Sequence, residues 1–294
     1  QNEMDQALER MKKSTIKLIG IAFLLFQLEV SSSEKDVYIL KTSGDCYECN
    51  LEGANLYRQN LYKANLAYSN LEEANLSKSN LSKADLFESK LRATNLSSAD
   101  LFMANLSGGY LSKANFTKSN LAEADLSFAT CIKTDFYRAA LNNAKLNEAN
   151  LSKSNLSRAN MSYSSLASAN ITEANLSRSN LEGANLDEAN LSKSNLRNAN
   201  LKKANLSGAN LYKSILINAN LTLSDLSFSS LVGANLTSAN LNNTNLEYAN
   251  LNGANLKNAD LTNAVLDGAN LQNVFLCNTR LPWGVDNSNC LDKK

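Results

Sequence analysis

The sequence of 294 residues contains no histidine, one proline (Pro282) and one tryptophan (Trp283). Histidine is the most common general base and a frequent metal ligand, so its absence argues against triad hydrolases and His-ligated metalloenzymes. The 29 basic residues nearly balance the 28 acidic ones, which gives a formal net charge of +1. A chain with this balance has no overall field that would attract nucleic acid or imitate its phosphates.

The sequence is dominated by an unbroken repeat of five residues. Between residues 51 and 276, 46 positions have numbers that end in 1 or 6, and 41 of them hold leucine. The other five are Phe116, Cys131, Phe136, Met161 and Ile171. The residue two positions earlier is small in 44 of the 46 units, and the residue immediately before is Asn or Asp in 36. Because nothing interrupts the spacing, the units follow one another without room for a loop.

A period of five is incompatible with both regular secondary structures. In an α-helix five residues turn by about 500°, so the leucines would spread around the axis and form no stripe. In a straight strand an odd period would send successive leucines to opposite faces and leave half of them in water. The chain must therefore bend at every unit, with Asn and Asp at the bends because their side chains bond locally to the backbone. The repeat predicts a solenoid.

The triplets at residues 54–56, 64–66 and 74–76 all read Ala-Asn-Leu. Together with the copies that follow, they resemble the A(D/N)LXX motif of the pentapeptide repeat family. The resemblance covers residues 44–281 and implies an all-β, single-domain, right-handed quadrilateral β-helix. In that fold four pentapeptides form one coil of 20 residues, so the repeat would build about 11 to 12 coils. Leucine and the small residue would point inward, and the two residues after leucine would point outward.

The N-terminal segment differs from the repeat. Residues 11–17 are basic, residues 18–28 are apolar and residues 31–36 are polar, an order that resembles a secretory signal peptide with Met11 as its start. We therefore expect residues 1–30 to be a signal peptide, or alternatively a retained helix over residues 11–28 that caps the first coil. Residues 31–43 would lead into the solenoid, with a short strand at 37–43, and residues 282–294 would form an irregular C-terminal cap. The apolar stretch is too short to span a bilayer.

The sequence contains five cysteines, for which we expect different roles. Cys46 and Cys49 form a CxxC pattern that could serve redox chemistry or half a zinc site, but burial in the first coil or a local disulfide is favoured. Cys277 and Cys290 bracket the irregular tail, where a bridge would close a loop of about 14 residues and contribute roughly 3 kcal/mol. Cys131 replaces a core leucine and should be an inert buried thiol.

A coil of 20 residues sorts the outward charges onto faces. The face after Leu56 and its equivalents, here called the basic face, has no acid at its outward positions. It carries Arg58, Lys78, Lys118, Arg138, Arg158, Arg178, Arg197 and Lys257. The opposite face, here called the acidic face, has no Lys or Arg and carries Glu48, Glu88, Glu148, Asp187, Glu188, Glu247 and Asp267. The basic face is a candidate docking stripe, although duplication of 20-residue blocks would also produce the pattern.

The Asn or Asp at one bend is lost in three successive coils, at Lys90, Tyr110 and Thr130. This local irregularity is a candidate contact site, and drift at a tolerant position is the alternative. No insertion offers a cleft, and the outward serines have no histidine partner. We therefore expect no enzyme activity, cofactor, metal or small-molecule substrate.

The sequence favours a non-enzymatic protein that presents the flat charged faces of a rigid rod to a protein partner. The expected location is the periplasm, the thylakoid lumen or the extracellular space, in a cyanobacterial-like setting that the resemblance suggests. The location would be cytoplasmic if residues 11–28 are retained as a cap. One alternative is a modulator of a nucleic-acid enzyme that acts like the DNA-imitating family members, although those are strongly acidic. Another is a binder of an anionic surface through the basic face; nucleic acid itself is not the expected partner.

Overall fold

The computed structural model describes residues 32–290, with side chains from residue 34 onward. The predicted signal peptide at residues 1–30, and the alternative prediction of a cap at residues 11–28, lie outside the described residues. From Asp45 to Arg280 the chain winds in coils of 20 residues, because every corner residue from Asp45 to Asp260 forms a parallel bridge with the residue 20 positions later. The first bridge joins Asp45 to Asn65 and the last joins Asp260 to Arg280. The predicted 20-residue coil is therefore confirmed.

Each side of the coil is one bridged residue followed by a tight turn. The carbonyl oxygen of Leu51 accepts the N–H of Ala54 at 3.0 Å, and the same bond recurs in later units. The second outward residue of each turn has a positive φ, as in a type II turn, and glycine tolerates this conformation best. Most units nevertheless place another residue there, such as Arg138 with a φ of 57°. This conformation makes that side chain project away from the rod and keeps it exposed.

The core is a stack of leucines and small residues inside the coils. The central leucines from Leu51 to Leu261 are almost completely buried, and the small residues two positions earlier pack beside them. Phe116 and Phe136 replace leucine in neighbouring coils and stack with their ring centroids 5.1 Å apart. Cys131, which is smaller than leucine, occupies the unit before Phe136 and is also fully buried. Stacking without gaps gives the rod a continuous apolar interior.

The segment before the first coil is a helix, α1 (Ser32–Ser43), so the prediction of a strand at residues 37–43 is wrong. Glu34 in the first turn and Lys41 in the last turn have the charges that the helix dipole favours. Gly44, with a φ of 72°, ends the helix. A strand here would have left a backbone edge unpaired at the end of the solenoid, whereas a helix satisfies its own backbone.

Helix α1 closes the first coil. Leu40 is almost fully buried against the coil, and Val37 packs beside it. The carboxylate of Asp36 accepts the N–H of Asn50 at 2.8 Å, a role that a carbonyl of the preceding coil plays at Asn70. Apolar cover and one carboxylate thus replace the missing neighbouring coil.

The C-terminal end is closed by a hairpin in which β1 (Thr279–Leu281) pairs antiparallel with β2 (Gly284–Asp286). The tail that was expected to be irregular from residue 282 therefore contains the second strand of this hairpin. Trp283 at the hairpin turn is 68% exposed. The last central leucines are only partly buried, in contrast to those of the middle coils. This end is covered less completely than the N-terminal one.

Two disulfide bonds lie at the two ends of the rod. The structure pairs Cys46 with Cys49 in the first coil and Cys277 with Cys290 around the hairpin. Cys131 is the free cysteine of the described residues, and burial raises its pKa to about 12. A thiol with such a pKa stays protonated near neutral pH and is a poor nucleophile.

Candidate docking faces and the interrupted corner

The basic face is an exposed row of cations. The fold puts the second outward residue of each unit on the same face every 20 residues, one above the other at about 4.8 Å per coil. All six residues predicted for the docking stripe are exposed on this face: Arg58, Lys78, Lys118, Arg138, Arg158 and Arg178. Within residues 32–290 none of these six forms an ion pair. Their charges are therefore not neutralised within the rod.

Tyrosine rings lie beside three of these cations. The guanidinium of Arg58 is 5.1 Å from the ring centroid of Tyr57, and the ammonium of Lys78 is 5.9 Å from the same ring. Arg138 is 5.3 Å from the ring centroid of Tyr137. Such contacts hold the long side chains near the face without removing their charge. The basic face combines positive charge with flat apolar surface.

The acidic face carries aromatic clusters in addition to its carboxylates. Tyr68 makes edge contacts with Tyr47 and Phe87, at centroid distances of 5.5 and 5.4 Å. Phe228 and Tyr248 stack at 5.2 Å, and each is more than 60% exposed. Sequence reasoning missed the clustering of Tyr47, Tyr68 and Phe87. The signal was available, because rings 19 to 21 residues apart occupy adjacent coils.

On other surfaces several cations are already paired. The Arg92 guanidinium is 2.7 Å from a Glu72 carboxylate oxygen and 3.5 Å from one of Glu73. The hydrogen bond to Glu72, followed by its charge, raises the pKa of Arg92. Lys153 lies 3.8 Å from Glu173 on the same face. The charges of this face, which adjoins the basic face, therefore partly cancel.

The structure brings Lys90, Tyr110 and Thr130 together at one corner. Lys90 bridges to Tyr110, and Tyr110 bridges to Thr130, so the three residues occupy successive coils. A shallow depression of about 340 Å³ lies here. It is lined by Glu72, Lys90, Arg92, Tyr110 and Ser112. Two of the three corner residues, Lys90 and Tyr110, therefore line this depression.

Neither a metal-binding cluster nor a membrane-spanning helix is found among residues 32–290. Between residues 32 and 290 there is no cluster of three or more cysteine and carboxylate side chains that could hold a metal ion. The same part of the chain contains no helix with the length and apolarity needed to cross a membrane.

A solenoid with four short sides per coil and small-Asn-Leu units defines the class of quadrilateral β-helix proteins. Family models described as "Pentapeptide repeats" match overlapping segments from residue 45 to residue 202, and one described as "Pentapeptide repeat region" matches residues 194–271. The chain belongs to the pentapeptide repeat family, whose members form right-handed quadrilateral β-helices. No curated protein sequence matches it significantly.

Several solved structures of this family are similar to the chain. HetL, a pentapeptide repeat protein involved in heterocyst differentiation regulation in the cyanobacterium Nostoc sp. strain PCC 7120, is 30% identical, with 84% of this chain and 96% of HetL covered and a TM-score of 0.34. QnrB1, a plasmid-mediated fluoroquinolone resistance protein, is 20% identical over 63% of this chain and 86% of its own, with a TM-score of 0.39. A protein of the Arabidopsis thaliana thylakoid lumen is 26% identical over 41% and 70%, with a TM-score of 0.25.

Proposed function

We propose that this protein is a non-enzymatic docking rod whose basic face binds an acidic segment of a protein partner. The observation that carries the proposal is the row formed by Lys118, Arg138, Arg158 and Arg178. These four cations occupy successive coils of one flat face, and none of them has an ion-pair partner among residues 34–290. A row of unpaired charges about 4.8 Å apart attracts a chain of opposite charge at little cost in reorganisation.

The contrast with the neighbouring face supports this assignment. Arg92 and Lys153 on that face are held by glutamates of the rod itself, so a partner would have to displace them. The cations of the basic face have no glutamate of the rod as a competing partner. Tyr57 and Tyr137 add apolar contact area beside them. Aromatic and arginine side chains are the residues that contribute most to protein interfaces.

The location that we propose is an exported one, in the periplasm, thylakoid lumen or extracellular space. The two disulfide bonds support it, because disulfides persist in oxidising compartments. The basic signal-like sequence at residues 11–28 supports it independently. The intact mass of the native protein, measured with and without reduction, tests this part. Loss of the first 30 or so residues and a mass increase on reduction are expected, and an unprocessed, fully reduced chain would contradict export.

Charge reversal tests the docking face. One triple variant combines Arg138→Glu, Arg158→Glu and Arg178→Glu. Its binding of a fluorescent glutamate-rich peptide should weaken by about tenfold or more, because the face then carries the same charge as the peptide. The control variant Lys83→Glu, Lys193→Glu and Lys203→Glu makes the same change in net charge. Its three lysines have the same backbone conformation as the arginines but lie on the two other faces. The control should bind the peptide almost normally.

Two further probes separate the alternatives. Short duplex DNA and vesicles with anionic lipids are titrated against the same three proteins at equal ionic strength. Stronger binding of DNA or vesicles than of the peptide, lost in the arginine variant, would replace the acidic protein by an anionic surface as the partner. Equal loss in the arginine and the lysine variants would show that only net charge matters, and the docking face would then be rejected.

A further inference from the structure

Most corners of the rod satisfy a backbone N–H with a side chain. On the corner that runs through residues 50, 70 and so on to 270, each asparagine accepts the N–H of the residue two positions later through its Oδ1 atom. The N–O distances lie between 3.0 and 3.3 Å. The asparagine side chain lies at the outside of the corner and is partly exposed at most coils. The N–H group therefore points to a place that a solvent-side oxygen can reach.

At Lys90, Tyr110 and Thr130 this acceptor is missing in three successive coils. The N–H groups of Arg92, Ser112 and Ile132 consequently have no hydrogen-bond acceptor among the described residues. They repeat at about 4.8 Å along the rod and point in the same direction. Aligned backbone N–H groups of this kind make anion-binding concavities in other proteins.

Other losses of the corner residue do not build such a row. On the same corner Ser230 leaves one N–H, that of Val232, without an acceptor, and asparagines flank it in both neighbouring coils. On another corner Ser165 replaces asparagine, but Asn147 of the preceding coil reaches across and accepts the N–H of Ala167 at 3.2 Å. Only the stretch from Lys90 to Thr130 combines three consecutive gaps on the described part of the corner.

The surroundings of the row are suited to an anion. The depression at this corner is lined by Arg92 and Ser112, which carry two of the three N–H groups, and by Lys90, Tyr110 and Glu72. Arg92 is paired with Glu72 and Glu73, so its charge is already compensated. Lys90 is exposed and has no ion-pair partner within the described residues. The hydroxyl groups of Tyr110 and Ser112 add possible donors.

We propose that the corner formed by Lys90, Tyr110 and Thr130 is an oxyanion-binding site, in which the N–H groups of Arg92, Ser112 and Ile132 donate to a phosphate or carboxylate group beside Lys90. Two N–H groups about 4.8 Å apart can each reach a different oxygen of one such group. The charge-assisted hydrogen bonds take the place of those that asparagine makes at other coils. This site lies on a different corner from the basic face and does not rest on the proposed docking function.

The test restores an asparagine acceptor at the corner formed by Lys90, Tyr110 and Thr130. In Tyr110→Asn the new amide should accept the N–H of Ser112, as asparagine does at the other coils, and should occupy the ligand's place without any change of charge. Tyr110→Phe removes only the hydroxyl group and leaves the N–H group free. Ser230→Asn makes the corresponding repair at the isolated gap and serves as a control for the substitution itself. None of the three is expected to unfold the rod, because the same residue types occur at other corners.

Binding is measured by titration of the ¹⁵N-labelled full chain with inorganic phosphate and, separately, with acetate, against sodium chloride at equal ionic strength. We expect saturable shifts of the amide resonances of Arg92, Ser112 and Ile132. Tyr110→Asn should weaken binding by about tenfold or more, whereas Tyr110→Phe and Ser230→Asn should change it by less than about threefold. Tighter binding of phosphate would identify a phosphate group as the ligand, and tighter binding of acetate a carboxylate side chain. Absence of saturable shifts, or unchanged binding by Tyr110→Asn, would overturn the proposal.

Discussion

The middle coils and the two end coils of this rod cover their leucines and backbone groups by different means. A leucine in the middle, such as Leu166, is completely buried between coils above and below it. At the N-terminal end the missing neighbour is replaced by helix α1, the Asp36 carboxylate and a disulfide. At the C-terminal end a hairpin and a second disulfide leave the last leucines partly exposed. Repetition stabilises the middle, whereas each end depends on residues that occur only once.

Truncation of core leucines should give the largest difference in stability between the middle and the end of the rod. Leu166→Ala removes a fully buried side chain from a gap-free stack and should lower the free energy of unfolding by about 3 kcal/mol. Leu276→Ala affects a partly buried leucine of the last coil and should cost about 1 kcal/mol, because water already reaches the site. Urea denaturation followed by circular dichroism measures both. Equal losses at the two positions would show that the last coil is as well covered as the middle.

Removal of the disulfides should give the next largest losses of stability, and the two losses should differ. Replacing Cys277 and Cys290 by serine opens a loop with a sequence separation of 13 residues and should destabilise the C-terminal end by about 3 kcal/mol. Replacing Cys46 and Cys49 opens a loop with a separation of only 3, so a smaller loss is expected. Thermal unfolding of both variants, compared with the reduced and oxidised native chain, gives the ranking. A larger effect at the N-terminal pair would mean that packing in the first coil outweighs loop closure.

The sequence predicted the middle of the rod far better than its ends. A period of five excludes helix and straight strand wherever it holds, so coil length, inward leucines and outward charges all follow from it. The segment around Val37 and Leu40 lies outside the repeat, and its helix depends on burial against a coil that local sequence does not describe. The hairpin at residues 279–286 likewise depends on contacts with the last coil.

The candidate sites divide in the same way. The positions of Arg138 and Lys90 could be read from the 20-residue register alone. The lack of ion pairs on the basic face follows from the absence of acids at its outward positions. The pairing of Lys153 with Glu173 on the neighbouring face could not be predicted, because it depends on side-chain length and rotamer. The free N–H groups at the interrupted corner require knowledge of the hydrogen bond from each corner asparagine, such as that from Asn150 to Ser152.

The carboxylate cap at the N-terminal end can be compared with a corner in the middle. Asp36→Ala removes the acceptor of the Asn50 N–H group and should cost about 1 to 2 kcal/mol, because that group loses its partner at the end of the solenoid. Asn190→Ala removes one corner hydrogen bond, from the N–H of Ser192, in a coil that is held from both sides, and should cost about 1 kcal/mol or less. Hydrogen exchange of the amide of Asn50 distinguishes local opening of the first coil from a general loss of stability. Unchanged exchange in Asp36→Ala would show that helix α1 caps the coil through apolar contact alone.

The smallest change in stability is expected from protonation of Asp260, near the C-terminal end, at low pH. Hydrogen bonds from Thr262, first its hydroxyl and then its backbone N–H, together with the charge of Arg280, lower the pKa of Asp260 although partial burial opposes them. Because the pKa is lower in the folded than in the unfolded chain, the carboxylate stabilises the fold above the ordinary aspartate range and loses this contribution as the pH falls through the folded value. Asp260→Asn keeps the Oδ1 acceptor but cannot titrate. The loss of stability between pH 7 and pH 3 should therefore be smaller in the variant than in the native chain, by less than about 1 kcal/mol. Identical losses in both proteins would mean that Asp260 does not couple protonation to the last coils.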